Sequence, residues 1–292
     1  MLLLTHHLVA DGQSMTILKN EFIKLLTTYQ IRRTNVDHSF EKYCNFINST
    51  FYTTEKSSEE KFWEEKLCHA AKYVFNPPVD FNSQITNFNA TRTRLTLKSN
   101  TMQRILSVCD ALNITLPMFF MGIANLVIAK WINHPKFLIQ LQVNGRSSLD
   151  EQKAVGYLAN SVYIISNTDY KKEIFKYFEK IKTDFIEMLG NQNFPDEKAQ
   201  KIIGNTVYSP FFYNFIFNND DEKQCKIVEL KDESYDGEFS NFDLIFETKI
   251  NNKYTTIDLI YHPTQFSINT LLNLNKEIQQ NIDSIFEKII GG

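Results

Sequence analysis

Residues 116–129 read Leu-Pro-Met-Phe-Phe-Met-Gly-Ile-Ala-Asn-Leu-Val-Ile-Ala before Lys130 interrupts them. A run this long suits a core helix and falls short of the roughly 20 apolar residues of a membrane span. A helix that is apolar on every side has to be buried on every side, so the rest of the chain must build layers around it. The flanking patterns supply them. Residues 91–97 alternate apolar and polar as a half-buried strand does, and Asn100 or Thr101 can cap a helix running to 112. The apolar helix follows over 114–131, with Pro117 tolerated in its first turn. Residues 137–143 form a compact apolar strand that ends in the turn Asn144-Gly145-Arg146. This strand, helix, helix, strand order points to an α/β (α+β) fold.

Upstream, Leu18, Phe22, Leu25, Leu26 and Tyr29 recur at helical spacing over 14–29, with Ser14 as N-cap and the stripe packed on a sheet. Residues 39–53 and 58–71 read as two more helices. Asn76-Pro77-Pro78 opens a turn-rich stretch to Asn89 with no helical period, the best linker, which divides the chain into 1–89 and 90–292. Downstream, 169–189 is a long amphipathic helix, and 210–217 and 254–261 are strands. The polar, acid-rich 218–238 is an exposed loop around a short strand at 225–230, and a last helix spans 268–289.

A formal net charge of −3, with lysines and acids interspersed, leaves no footprint for nucleic acid or an anionic membrane. Cys44, Cys68, Cys109 and Cys225 lack the close pairing of metal or redox sites, which fits a reducing cytoplasm and predicts no metal. Met1-Leu2-Leu3-Leu4 has no basic leader and is too short for a signal-peptide core. The chain is expected to be soluble and cytoplasmic, without a membrane partner.

The chemistry-bearing stretch is Thr5-His6-His7-Leu8-Val9-Ala10-Asp11-Gly12, between an apolar segment read as an interior strand and the first helix. Histidine gains or loses a proton near neutral pH, so His7 can take a proton from an attacking amine or hydroxyl, or position that nucleophile. His6 is expected to face inward and support the loop. Asp11 can accept loop N–H groups or pair with an arginine and hold the turn rigid. Gly12 allows a positive φ or a close approach that a Cβ would block.

This His-His-x-x-x-Asp-Gly pattern, in its strand-before and helix-after setting, resembles the condensation domains of nonribosomal peptide synthetases, members of the chloramphenicol acetyltransferase-like superfamily. Further residues carry the resemblance. Gly156-Tyr157-Leu158-Ala159-Asn160-Ser161 is similar to the family's Gly-x-Phe-Val-Asn-Thr, with Tyr157 or Leu158 for the aromatic, and Phe242-Asp243-Leu244 to its Phe-Asp-Leu strand. Phe40, Tyr43 and Trp63 match in type the aromatics of the family's Tyr-x-Asp-Tyr and Tyr-Trp-x-x-x-Leu segments, and are read as packing residues. Asn191 to Asp196 keeps only Gln192 and Pro195 of the family's His-Gln-x-x-Pro-Phe-Glu and yields no site residue.

The resemblance implies a two-lobe fold, with an incomplete N-terminal lobe at 1–89 carrying the loop and a complete C-terminal lobe at 90–292. It implies that Arg146 meets Asp11 and pins the loop, that loop N–H groups near Gly12 stabilise an oxyanion, and that Gly156, Asn160 and Ser161 line the substrate channel. There Asn160 would bind a pantetheine amide or help form the floor. Substrates would arrive on the phosphopantetheine arms of carrier proteins, beside adenylation domains, for amide-bond formation at His7. No bound cofactor, metal or covalent nucleophile is implied. Two alternatives stay open: a non-catalytic truncated remnant, and a coenzyme A-dependent or wax-ester-type acyltransferase of the same superfamily. An epimerisation domain would carry Glu-Gly-His-Gly-Arg, of which Val143-Asn144-Gly145-Arg146 keeps only the end.

Overall fold

The computed structural model describes residues 5–28, 37–82, 88–169, 171–205, 207–217, 238–251 and 254–291. The strands expected before the motif and at 225–230, the helix end at Tyr29 and part of the expected linker lie outside them. In chain order the helices are α1 (Gly12–Thr28), α2 (Ser39–Phe51), α3 (Ser58–Leu67), α4 (Ser99–Leu112), α5 (Leu116–Trp131), α6 (Ile174–Gly190), α7 (Asp196–Ile203) and α8 (Ile268–Ile289). The strands are β1 (Asn89–Leu97), β2 (Lys136–Val143), β3 (Asn160–Asn167), β4 (Phe211–Phe217), β5 (Glu238–Phe239), β6 (Leu244–Ile250) and β7 (Thr255–Tyr261).

The apolar run is α5, and Phe119, Phe120, Met121, Ile123 and Ala124 in it are wholly buried. It packs against α4, α6, α8 and β4, which accounts for its lack of a polar face. Gly122 brings α6 close: a Cβ there would stand 2.5 Å from the Phe178 ring, and the Tyr177 hydroxyl donates to the Gly122 carbonyl at 2.7 Å. Local signals set the helix ends. Ser57 and Ser267 accept the N–H groups of Glu60 and Thr270 at the starts of α3 and α8. Asn113, at φ 50°, closes α4 in the left-handed region.

Among the described residues the strands form one seven-stranded mixed sheet in the order β3-β2-β4-β6-β7-β1-β5, with β2, β4 and β6 parallel and the other neighbours antiparallel. Between β7 and β1, the fully buried Asp258 accepts from Arg94 at 2.7 Å and Arg92 at 3.0 Å. Burial alone would raise this carboxyl's pKa, and the Arg94 hydrogen bonds together with the positive charges of Arg94, Arg92 and Lys249 outweigh it, leaving the group below its ordinary value.

Several expectations change. The α1 stripe is only partly covered among the described residues: Leu25 and Leu26 are 43% and 41% exposed, Ile23 is the buried apolar residue of the helix, and its first turn is fastened by the Ser14 hydroxyl to the Gly156 carbonyl. The amphipathic helix expected from 169 starts at Ile174, because Thr168 is drawn to the Pro135 carbonyl and a turn intervenes. The Phe-Asp-Leu segment precedes most of its strand, which runs on to Ile250. Helix α7 has no counterpart in the sequence reading.

Among the described residues, one apolar core draws on both sides of residue 89. Phe51, Trp63, Leu67 and Ala70 belong to the same cluster as α5 and the sheet. The Trp63 indole donates to the Asn191 carbonyl at 2.9 Å, and the Phe51 and Phe194 rings meet edge to face at 5.7 Å. Asp80, within the expected linker, accepts the Ser267 N–H and the Thr270 hydroxyl, each at 2.7 Å, and so is fastened to the start of α8. Among the described residues no single helix is long and apolar enough to cross a membrane.

Candidate active site

The motif is a turn, with Val9 N–H donating to the His6 carbonyl at 3.0 Å, that feeds directly into α1. Asp11 rather than Ser14 caps this helix. Its Oδ1 accepts the Ser14 N–H at 2.9 Å, the pairing expected of an N-cap residue and the third helical position. The Ser14 hydroxyl is fully buried and joins two segments far apart in sequence, lying 2.8 Å from Asp11 Oδ1, 2.7 Å from the Gly156 carbonyl and 3.0 Å from the Gly156 N–H.

Arg146 completes the arrangement. Its two terminal nitrogens donate to the two oxygens of Asp11 at 2.7 and 2.9 Å, with both side chains 98% or more removed from solvent. The same nitrogens reach the Asn144 carbonyl at 3.0 Å, Ser14 Oγ at 3.2 Å and the Ala154 carbonyl at 3.3 Å. Asp11 Oδ2 also accepts the Leu158 and Ala159 N–H groups, both at 3.0 Å. Burial raises the Asp11 pKa, but Arg146, the backbone N–H groups of Ser14 and Leu158 and the Ser14 hydroxyl overcome it and hold the carboxyl at about 2. The aspartate is ionised throughout the neutral range and serves as an acceptor only, never as a proton donor.

The turn before Arg146 aims the guanidinium. Asn144 Oδ1 accepts the Arg146 N–H at 3.1 Å, and Gly145 adopts φ +63° with its α-carbon hard against residue 158. A Cβ at Gly145 would sit 1.8 Å from the Leu158 carbonyl oxygen. Gly145→Ala is therefore expected to destabilise the fold by at least about 2 kcal/mol, read as a lower urea midpoint with an unchanged m-value. An unchanged midpoint would show that the turn relaxes freely.

His7 lies on the exposed part of the loop, and its imidazole meets the Tyr157 ring at 5.5 Å between centroids and 70° between planes. The imidazole thus reaches solvent while facing a residue of the 90–292 segment. His6, expected to face inward, is exposed, and its Nδ1 accepts the Leu8 N–H at 3.1 Å. Gly12 shows neither of its expected features. It is the first residue of α1, it is not among the positive-φ glycines, and nothing described comes within 4 Å of a Cβ placed there. Any residue can adopt helical φ and ψ in that position.

The expected channel residues make structural contacts, and of the three Gly156 is the one bonded to the first turn of α1. Both amide hydrogens of Asn160 are taken, by the Gln192 carbonyl at 2.9 Å and the Phe194 carbonyl at 2.7 Å, so they are not free to donate to a pantetheine amide. Gly156 is buried between Ser14 and Phe40, whose ring would meet a Cβ at 2.1 Å. Ser161 is half-buried and faces Gln142 in the β2–β3 pairing. Of the two candidates for the family aromatic, Leu158 is buried and Tyr157 is 45% exposed. Ser14 was legible only as a helix cap, and Tyr157 only as one of two aromatic candidates.

Three comparisons bear on this geometry. A family model described as "Condensation domain" matches residues 1–289. Tyrocidine synthase 3 of Brevibacillus parabrevis is 22% identical over 277 residues, which cover 91% of this chain and 4% of that protein, so the chain spans a small part of its relative. Among solved structures, the X-domain from teicoplanin biosynthesis superposes with a TM-score of 0.81 at 12% identity, covering 98% of this chain and 68% of that one. A four-domain nonribosomal peptide synthetase, holo-AB3403 bound to AMP and glycine, gives 0.78 at 14% identity, covering 94% and 23%. At these identities the structures speak for the fold, and the family model extends over nearly the whole chain. With its His-His-x-x-x-Asp-Gly turn clamped by Arg146 in a chloramphenicol acetyltransferase-like α/β fold, the chain belongs to the condensation-domain family of nonribosomal peptide synthetases.

Proposed function

We propose that the chain contributes the reaction centre for amide-bond formation between a carrier-bound acyl or peptidyl thioester and an aminoacyl acceptor. The observation that carries this is His7, an exposed imidazole on a turn whose next residues are clamped by the buried Asp11–Arg146 pair. The acceptor amine attacks the thioester carbonyl, a C–N bond forms, and the C–S bond breaks to release the pantetheine thiol. His7 takes the proton shed by the amine, or orients the amine for attack, and the proton ends on the departing sulfur. Backbone N–H groups at the start of α1, where Gly12 is exposed, supply donors for the oxyanion.

In this scheme Asp11 and Arg146 fix the loop without touching substrate, His6 belongs to the turn, and Gly156, Asn160 and Ser161 shape the neighbouring wall. The two-lobe division then falls functionally between the loop-bearing residues 1–89 and the Arg146- and Tyr157-bearing residues 90–292. Substrates come on phosphopantetheine arms of carrier proteins loaded by adenylation domains. The free thiols of Cys44, Cys68 and Cys109 agree with a cytoplasmic setting.

Leu8 and Val9, 79% and 63% exposed beside His7, favour a second reading, a non-catalytic domain that binds without turning over. A condensation assay with loaded donor and acceptor carrier proteins separates the two. Amide product detected on the acceptor arm is the expected result, with coenzyme A thioesters as a parallel donor. A folded chain that yields no product with either donor overturns catalysis in favour of the non-catalytic reading.

A further inference from the structure

Tyr157 is held against the loop from both sides. Its preceding residue, Gly156, gives N–H and carbonyl to the Ser14 hydroxyl at 3.0 and 2.7 Å, and its following residues, Leu158 and Ala159, give their N–H groups to Asp11 at 3.0 Å. The Tyr157 backbone is thereby fastened to the residues that cap α1, four to seven positions after His7. Its side chain is left 45% exposed, with the ring edge-on to the imidazole at 5.5 Å. His7 itself sits on a turn flanked by the exposed Leu8 and Val9. An exposed imidazole on such a turn samples several staggered rotamers, and a general base acts only when its nitrogen is within about 3 Å of the proton it takes.

We propose that Tyr157 is a positioning and specificity-determining residue: its ring holds the His7 imidazole in one rotamer and forms the wall against which the group beside the reacting carbonyl or amine must fit. This rests on acyl transfer occurring at His7. An edge-to-face aromatic pair favours the rotamer that makes it by roughly threefold to tenfold. A wall that admits or excludes a side chain of a few carbons discriminates by roughly tenfold or more. Nothing else in the clamp needs an aromatic at this position, because the hydrogen bonds of residues 156–159 are made by their backbone.

The test uses the protein labelled with 13C-histidine, with the His7 ring signal assigned by its loss in His7→Gln. Tyr157→Ala is expected to move the His7 Cε1–Hε1 signal, and Tyr157→Phe to bring it back towards the wild-type position. In the carrier-protein assay, Tyr157→Ala is expected to shift the ratio of kcat/KM for leucyl against glycyl acceptors about tenfold towards leucyl, with Tyr157→Phe restoring the ratio. An unmoved His7 signal overturns the positioning role, and an unchanged acceptor ratio overturns the specificity role. Failure of Tyr157→Phe to rescue either one shows that the hydroxyl rather than the ring is used, which also overturns the proposal. If the wild-type chain makes no amide, acyl transfer at His7 fails separately, and the ring signal alone decides the positioning role.

Discussion

Replacing His7 with alanine is expected to lower the single-turnover rate of amide formation by about a hundredfold to ten-thousandfold, the usual contribution of a positioned acid–base group. Stability should change by no more than about 0.5 kcal/mol, because the imidazole is exposed and its loss leaves every hydrogen bond of Asp11 in place. Rapid quench with loaded carrier proteins measures the first, and thermal melting the second. Turnover at the wild-type rate would remove His7 from proton handling. A large drop in melting temperature would instead assign it to the fold.

The second large effect is on folding. Arg146→Ala leaves the Asp11 carboxylate buried without its counter-ion, and such a deletion costs about 3–5 kcal/mol, enough to unfold a marginally stable domain. Urea denaturation gives the value, and Asp11→Ala/Arg146→Ala together should cost less than the two single changes summed, because the pair is in direct contact. Strict additivity would mean that the two groups act independently. The same pair sets an acid limit. The folded carboxyl titrates at about 2, below its ordinary 3.8, so its contribution is complete above the ordinary value and is lost as pH falls towards 2. That contribution is on the order of 2 kcal/mol, and Asp11→Asn should flatten the corresponding limb of stability against pH.

Much of the architecture was legible because its periodicities are strong. The helix of residues 116–131 is apolar all round and must be interior wherever it lies, and 268–289 carries an unbroken amphipathic stripe between Ser267 and Ile290. Weaker patterns misled for identifiable reasons. Leu25 and Leu26 have helical spacing, yet spacing does not say what a stripe will meet, and both are exposed. Residues 196–203 are too few to show a helical period, so α7 became visible only through its packing on α3 and β3. The prolines and turn residues before residue 89 say nothing of which side chains meet across it, such as Trp63 with Asn191 and Phe51 with Phe194.

In the site, the residue types at 6, 7, 11 and 12 carried the expectation of a titratable group on a rigid turn, and they are properties of the sequence by itself. What those residues do individually was decided by the tertiary structure. Asp11 became a helix cap and an arginine ligand, His6 turned outward, Asn160 gave its amide to a neighbouring loop, and Tyr157 arrived beside His7. The physical reason is reach. A motif within eight residues can specify a turn and a titratable group, but burial and hydrogen-bond partners come from segments more than 130 positions away, and only folding brings those into contact.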